Sequence, residues 1–285
     1  MSMGLLMLLL GCGSLYDPED CRVEGDQELG CSLFVPEGQV CGLMHGARSS
    51  LGGSPCLGRD PTAELAPGTP PREVCPVGYS RSGIADVTGA WYTAVADPMG
   101  QGFTAEDRLF CAAVGNAQSS SGDLGEVPNH AACGLSSTGK GYTNNSCLGM
   151  DPLTEGCPTG YERRFSVDRG SIKGHSYLLV WCELQWGCEE GACGDVLDEV
   201  DLLCGLQDSQ PPTDVAALEA MLDTTAMHAT LVEWVFDQVA SGVPAPTCWG
   251  GSPLDDTCPS GFSPVCIEDG TTPVLVDALC WCAPD

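Results

Sequence analysis

Cys133-Gly134-Leu135, Cys147-Leu148-Gly149-Met150-Asp151-Pro152, Cys157-Pro158-Thr159-Gly160-Tyr161 and Trp181-Cys182 form one punctuated stretch, and the chain writes it three times. The earlier copy runs Cys41-Gly42-Leu43, Cys56-Leu57-Gly58-Arg59-Asp60-Pro61, Cys75-Pro76-Val77-Gly78-Tyr79 and Phe110-Cys111. The later copy runs Cys204-Gly205-Leu206, Cys248-Trp249-Gly250-Gly251-Ser252-Pro253, Cys258-Pro259-Ser260-Gly261-Phe262 and Trp281-Cys282. A pattern that returns along a chain marks a repeated structural unit. Module one is placed at 31–115, module two at 116–187 and module three at 188–285.

The chain has 285 residues with 37 Gly, 21 Pro and 19 Cys against 6% aromatics, the profile of a loop-rich chain held by cross-links. The expected fold is small, disulfide-rich and mainly β or irregular, without a large apolar core. It comprises three divergent tandem modules with hairpins, and a helical insertion in the third. Cysteines at this density persist as disulfides only in an oxidising compartment.

The half of each module after Cys-Pro-x-Gly-aromatic reads as a hairpin. In module two Tyr161–Val167 and Ser176–Cys182 are strand-like, with Asp168-Arg169-Gly170-Ser171 as the turn. Module three matches with Ser263–Ile267, Glu268-Asp269-Gly270 and Val274–Cys282. In module one Ala90–Val95 reads as the return strand, and Thr104-Ala105-Glu106-Asp107 as a capping box opening a helix to Val114. Two further helices are expected, over Asp195–Cys204 and over about 213–240. The second is capped by Thr213 and ends near Ser241-Gly242. Val215, Leu218, Leu222, Thr225, Ala229, Val232, Phe236 and Val239 follow steps of three and four and so form one seam. This segment lies between the first two common cysteines of module three, where the other modules have a short loop.

Comparison of the copies assigns some disulfides. Cys266 and Cys280 occur only in module three, where module two has Phe165 and Val180 facing each other across the hairpin, so these two are expected to bond. Cys21 and Cys31 precede module one, Cys188 and Cys193 precede module three, and each couple is expected to pair. The four common cysteines of a module admit three pairings, which the sequence leaves open.

Residues 1–10 are almost wholly apolar and lead into Leu9-Leu10-Gly11-Cys12. The run is too short to span a bilayer as a helix. It resembles the signal peptide and lipobox of bacterial lipoproteins, and the whole looks like the cysteine-rich surface lipoproteins of bacteria. The resemblance implies removal of residues 1–11, lipidation of Cys12, a short tether over 12–30 and anchoring at the outer membrane. Two or more acyl chains give stable anchoring where one is marginal. No Lys or Arg precedes the run, which leaves the terminal amine as its positive charge or a start further upstream. Setting Cys12 aside leaves an even number of cysteines, as full pairing requires.

The formal net charge is −28, and no Lys or Arg follows Lys173. Such a field repels phosphate backbones, so no nucleic-acid partner is expected. The expected partners are the membrane, through the lipid anchor, and an envelope protein or glycan. Zinc-ribbon Cys-x-x-Cys pairs, an EF-hand loop, His-Glu-x-x-His and Gly-x-Ser-x-Gly are all missing from the sequence. Accordingly no metal, cofactor or catalytic residue is assigned, and the role is read as structural or interactive rather than enzymatic. The rival readings are a secreted hydrolase, a protease inhibitor with Pro67–Arg72 as its loop, and glycan binding through Trp91, Trp181, Trp186, Trp249 or Trp281. Trp181 and Trp281 recur beside the last cysteine, where packing on its bridge is the alternative to glycan binding. The helical seam, with Leu218, Leu222, Val232 and Phe236, either docks a partner or packs on its own modules.

Overall fold

Each repeat folds into a small antiparallel sheet in which the strand carrying its last cysteine lies in the middle. The computed structural model describes residues 37–45, 53–63, 74–76, 78–84, 108–114, 131–139, 145–172, 175–185, 187, 202–242, 245–268 and 278–285. Cys12, Cys21, Cys31, Cys188 and Cys193 lie outside these residues, as do Ala90–Val95 and Pro67–Arg72. Module one supplies β1 (Val40–His45), the two-residue β2 (Gly53–Ser54), β3 (Tyr79–Ile84) and β4 (Arg108–Ala113), in the order β2-β1-β4-β3. Module two supplies β5 (Ala132–Ser137), β6 (Tyr161–Ile172) and β7 (His175–Leu184), ordered β5-β7-β6. Module three repeats this with β8 (Cys204–Asp208), β9 (Phe262–Glu268) and β10 (Ala278–Pro284), ordered β8-β10-β9. The protein is thus a disulfide-rich, mainly β fold.

Three repeated turns shape every module, each from its own residues. In Cys-Leu-Gly or Cys-Trp-Gly both central residues take positive φ, at Leu57, Leu148 and Trp249 and at the glycine that follows each. That is the mirror-image turn that suits paired strands. In Cys-Pro-x-Gly-aromatic the glycine again has positive φ, and the aromatic N–H closes on the proline carbonyl at 3.0–3.1 Å. In Cys-Gly-Leu the register slips by one residue, a bulge that needs a left-handed residue. Gly42, Gly134 and Gly205 supply it, and a Cβ on any of them would come within 2.6–2.8 Å of the second cysteine's backbone nitrogen. The glycine therefore lets the second-cysteine loop lie on the bulge.

The common cysteines settle into one pairing, first with second and third with fourth. The bonds are Cys41–Cys56 and Cys75–Cys111, Cys133–Cys147 and Cys157–Cys182, and Cys204–Cys248 and Cys258–Cys282. The first and fourth cysteines face each other across the ladder in every module, yet do not bond. Each bridge instead pins a connecting loop to the sheet, which restricts the unfolded chain and holds a loop that the ladder does not hold. Cys266 lies opposite Cys280 and is bonded to it, as Phe165 lies opposite Val180 in module two.

Neighbouring strand residues face opposite ways. Phe110, Trp181 and Trp281, each just before the last cysteine, therefore point away from its bridge. They meet in one cluster with Leu43, Leu135 and Leu206, contributed by all three modules. This corrects two expectations: the chain does build a substantial apolar core, and Trp181 and Trp281 fill it rather than packing on their bridges. The first strands also join in a ring. Gln39 bridges Cys133, Ala131 bridges Cys204 and Leu202 bridges Cys41, so the residue two before the first cysteine of one repeat always meets that cysteine of the next. The repeats are three walls of one core.

Three element readings change. Arg108–Ala113 is the return strand of module one, not a helix, because its central place in the sheet buries Leu109, Phe110, Cys111 and Ala112 on both faces. Cys204 begins β8, so no helix runs into it; residues 195–201 lie outside the described residues. The hairpin of module two is longer than its composition suggested. Asp168 pairs with Tyr177, and Ile172 with His175, leaving only residues 173 and 174 between the strands.

Candidate functional site

The departure from threefold repetition is the segment between Cys204 and Cys248, a separation of 44 residues where the other modules have 15 and 14. Lengthening a loop costs little once its ends are held together, and here the same bridge and the same glycine approach hold them. The segment forms α1 (Val215–Met221), one 3-10 turn at Thr224–Ala226 and α2 (Ala229–Ser241). Asp214, not Thr213, caps α1, its carboxylate accepting from the Ala217 N–H at 2.7 Å. Gly242 closes α2 in the left-handed conformation.

The single seam predicted for 213–240 is broken. Extended backbone at Leu222 and Met227 shifts the helical phase, so α2 buries Leu231 and Val235 while Val232 and Phe236 are half-buried. Leu218 and Leu222, read as either docking a partner or packing on the chain's own modules, are 0% and 6% exposed. They pack with Val167, Leu178 and Val180 of module two, so the insertion of module three clasps the outer face of its neighbour. Trp234 completes the clasp, with its ring 5.6 Å from Phe165 in a T-shaped contact and the Arg163 guanidinium 4.1 Å above it.

Where the insertion leaves and rejoins module three, it walls a cavity of about 330 Å³ against β6. β6 is an edge strand, so its side is open to this space. The walls include Arg163, Arg164 and Phe165 of β6, Trp181 of β7, Leu206, Gln207 and Asp208 of β8, and Val239 of α2. Buried Gln207 fixes one rim by donating its amide to the Pro246 carbonyl and accepting from the Ser252 hydroxyl at 3.2 Å.

The charges here are unevenly matched. Arg164 pairs with Glu162 at 3.0 Å and with fully buried Glu183 at 3.3 Å. Asp208 accepts from the Ser166 hydroxyl at 2.8 Å and from the N–H groups of Val167 at 3.3 Å and Gln210 at 2.7 Å. Arg163 donates to the Pro152 carbonyl at 3.2 Å and has no carboxylate partner among the described residues. Burial pushes its guanidinium below the usual arginine range. Trp181 is 1% exposed and its indole N–H finds no acceptor among the described residues, whereas the equivalent Trp281 donates to the Ser54 hydroxyl at 3.3 Å.

Among the described residues no group of His, Cys, Asp and Glu side chains is arranged to hold a metal ion. The acids before proline are turn residues: Asp60 accepts from the Thr62 N–H at 2.7 Å and Asp151 from that of Leu153 at 2.9 Å. Of the tryptophans considered for glycans, Trp181 and Trp281 are in the core and Trp249 packs edge-on against Phe262 at 5.3 Å; Trp91 and Trp186 lie outside the described residues. Phe165, Trp181, Thr213 and Val239 stand out singly in the sequence, but its pattern does not group the cavity residues as a site. The one available signal was Arg163-Arg164, an adjacent basic pair in a chain with 11 Lys and Arg. Comparison with protein-family models, with curated proteins and with solved structures found no match.

Proposed function

We propose that this chain is a lipid-anchored extracytoplasmic binding protein of the bacterial envelope, held at the outer membrane through Cys12 and acting by interaction rather than catalysis. The observation that carries this reading is the closed scaffold: six bridges, two per repeat, fasten every repeat loop around one core. Such cross-linking suits an oxidising compartment, and the Leu9-Leu10-Gly11-Cys12 sequence supplies a route to it. A rigid, strongly acidic body stays soluble beside a membrane while it presents a fixed surface. Among the described residues no helix is long and apolar enough to cross a bilayer, so on this reading the acyl chains provide attachment.

Mass spectrometry of the protein extracted from envelopes tests the anchor. A mature N-terminus at Cys12 carrying acyl mass, lost in Cys12→Ser, is expected; an unmodified Cys12 or cleavage elsewhere overturns the anchor. Affinity capture from envelope extracts tests the role. A partner retained by the oxidised protein but not by the reduced and alkylated chain supports interaction through the fold, and identical capture by both removes that support.

A further inference from the structure

The cavity beside β6 combines three features that the scaffold itself does not need. Its volume of about 330 Å³ is at the lower end of small-ligand pockets. Its walls are mostly apolar, with Phe165, Leu206, Val239 and Pro246 among them. One cation on those walls has no counter-charge among the described residues. Arg163 is half-buried in a chain whose acids outnumber its bases by 39 to 11; it donates to the Pro152 carbonyl and lies over the Trp234 ring, but meets no carboxylate among the described residues. Taking a charge out of water without an opposite charge costs free energy, which a bound anion would offset.

The neighbouring charges narrow the ligand. Arg164 is already matched by Glu162 and Glu183, and the Asp208 carboxylate is satisfied by three neutral donors, which leaves Arg163 as the cation on the wall open to an anion. We propose that this cavity binds a small monocarboxylate with an apolar, ring-sized body. The carboxylate pairs with the Arg163 guanidinium, whose planar fork suits it. The body lies against the apolar walls. The site belongs to the folded protein and does not depend on how the chain is anchored.

The test uses the full mature chain with its disulfides formed, titrated by calorimetry and by the indole N–H resonances in NMR. The probes are phenylacetate, indole-3-acetate and their neutral amides. Saturable binding of the acids is expected, at least about tenfold tighter than the amides, with the Trp234 indole N–H resonance shifting as the Arg163 above it is engaged. In Arg163→Met the preference for acid over amide disappears. Ala245→Trp, which fills the cavity from its exposed rim, abolishes binding of both while the melting temperature is unchanged. The proposal is overturned if neither acid saturates in the millimolar range, if Arg163→Met keeps the preference, or if Ala245→Trp binds as the wild type does.

Discussion

Modules two and three place different chemistry at the same point of the same hairpin. Phe165 faces Val180 in module two, and Cys266 faces Cys280 in module three. The apolar pair is covered by α1 and α2, which build a buried cluster with Phe165, Val167, Leu178 and Val180 and with no residue of β9 or β10. The cystine needs no such cover, because a covalent bond holds the strands whether or not water is excluded. The insertion grows out of module three yet leaves its own outer face for that of its neighbour, where apolar area is available to bury. A cross-link and a helical cover are thus two solutions to one problem, the outer face of a sheet too small to have a second layer of its own.

Four measurements would break or sharpen this contrast, taken from the largest effect to the smallest. Val235→Asp puts a carboxylate where α2 is fully buried on module two, and should cost about 4 kcal/mol or more, or release the insertion altogether. Loss of helical circular dichroism with the disulfides intact is the expected result; an unchanged melt would show that the clasp is not held by burial. Replacing Cys266 and Cys280 together by Ser should cost about 3 kcal/mol in denaturant unfolding. Replacing them by Phe and Val instead should raise binding of an apolar dye, since no helix covers that face. If the Phe/Val variant is as dye-silent as the wild type, the argument about cover fails.

The third measurement uses pH. Tyr161 and Phe262 occupy equivalent positions, but the buried Tyr161 hydroxyl accepts from the Gln39 amide at 3.0 Å. Burial pushes the phenol up to about 12, with the Gln39 hydrogen bond opposing. A raised phenol favours the neutral folded form, so this contribution is intact below pH 10 and is lost as pH rises from about 10 through 12. Up to about 2–3 kcal/mol should disappear over that window in the wild type, and Tyr161→Phe should flatten this part of the profile. An identical alkaline profile in both proteins would place the sensitivity elsewhere. The smallest effect is at the edge of the clasp. Asp214→Ala removes the exposed α1 cap and should cost about 1 kcal/mol, visible as faster amide exchange in α1 and unaltered exchange in β9 and β10.

The hairpin register of module two was legible from its Phe165 and Val180 even though the turn was misplaced. Alternation along a strand fixes which residues share a face wherever the strand ends. The insertion shows the opposite case. Its apolar steps of three and four read as one helix, but Leu222, Asp223 and Met227 leave helical geometry, and the face that is buried then depends on the surface the helices meet. The cavity was the least legible part, because Arg163, Trp181, Leu206 and Val239 are far apart in sequence, and the repeat and the seam that contain three of them mark scaffold rather than a site.

The sequence alone determined the repeat, the turn residues, the disulfide-rich β character and the Cys266–Cys280 partnership, all of which rest on short-range spacing or on comparing one copy with another. Tertiary structure alone decided how the four common cysteines pair, that the three repeats pool Phe110, Trp181 and Trp281 into one core, and that the insertion covers module two. Those outcomes depend on which apolar faces are left over once the sheets have formed, and burial has no direction along the chain for a sequence pattern to record.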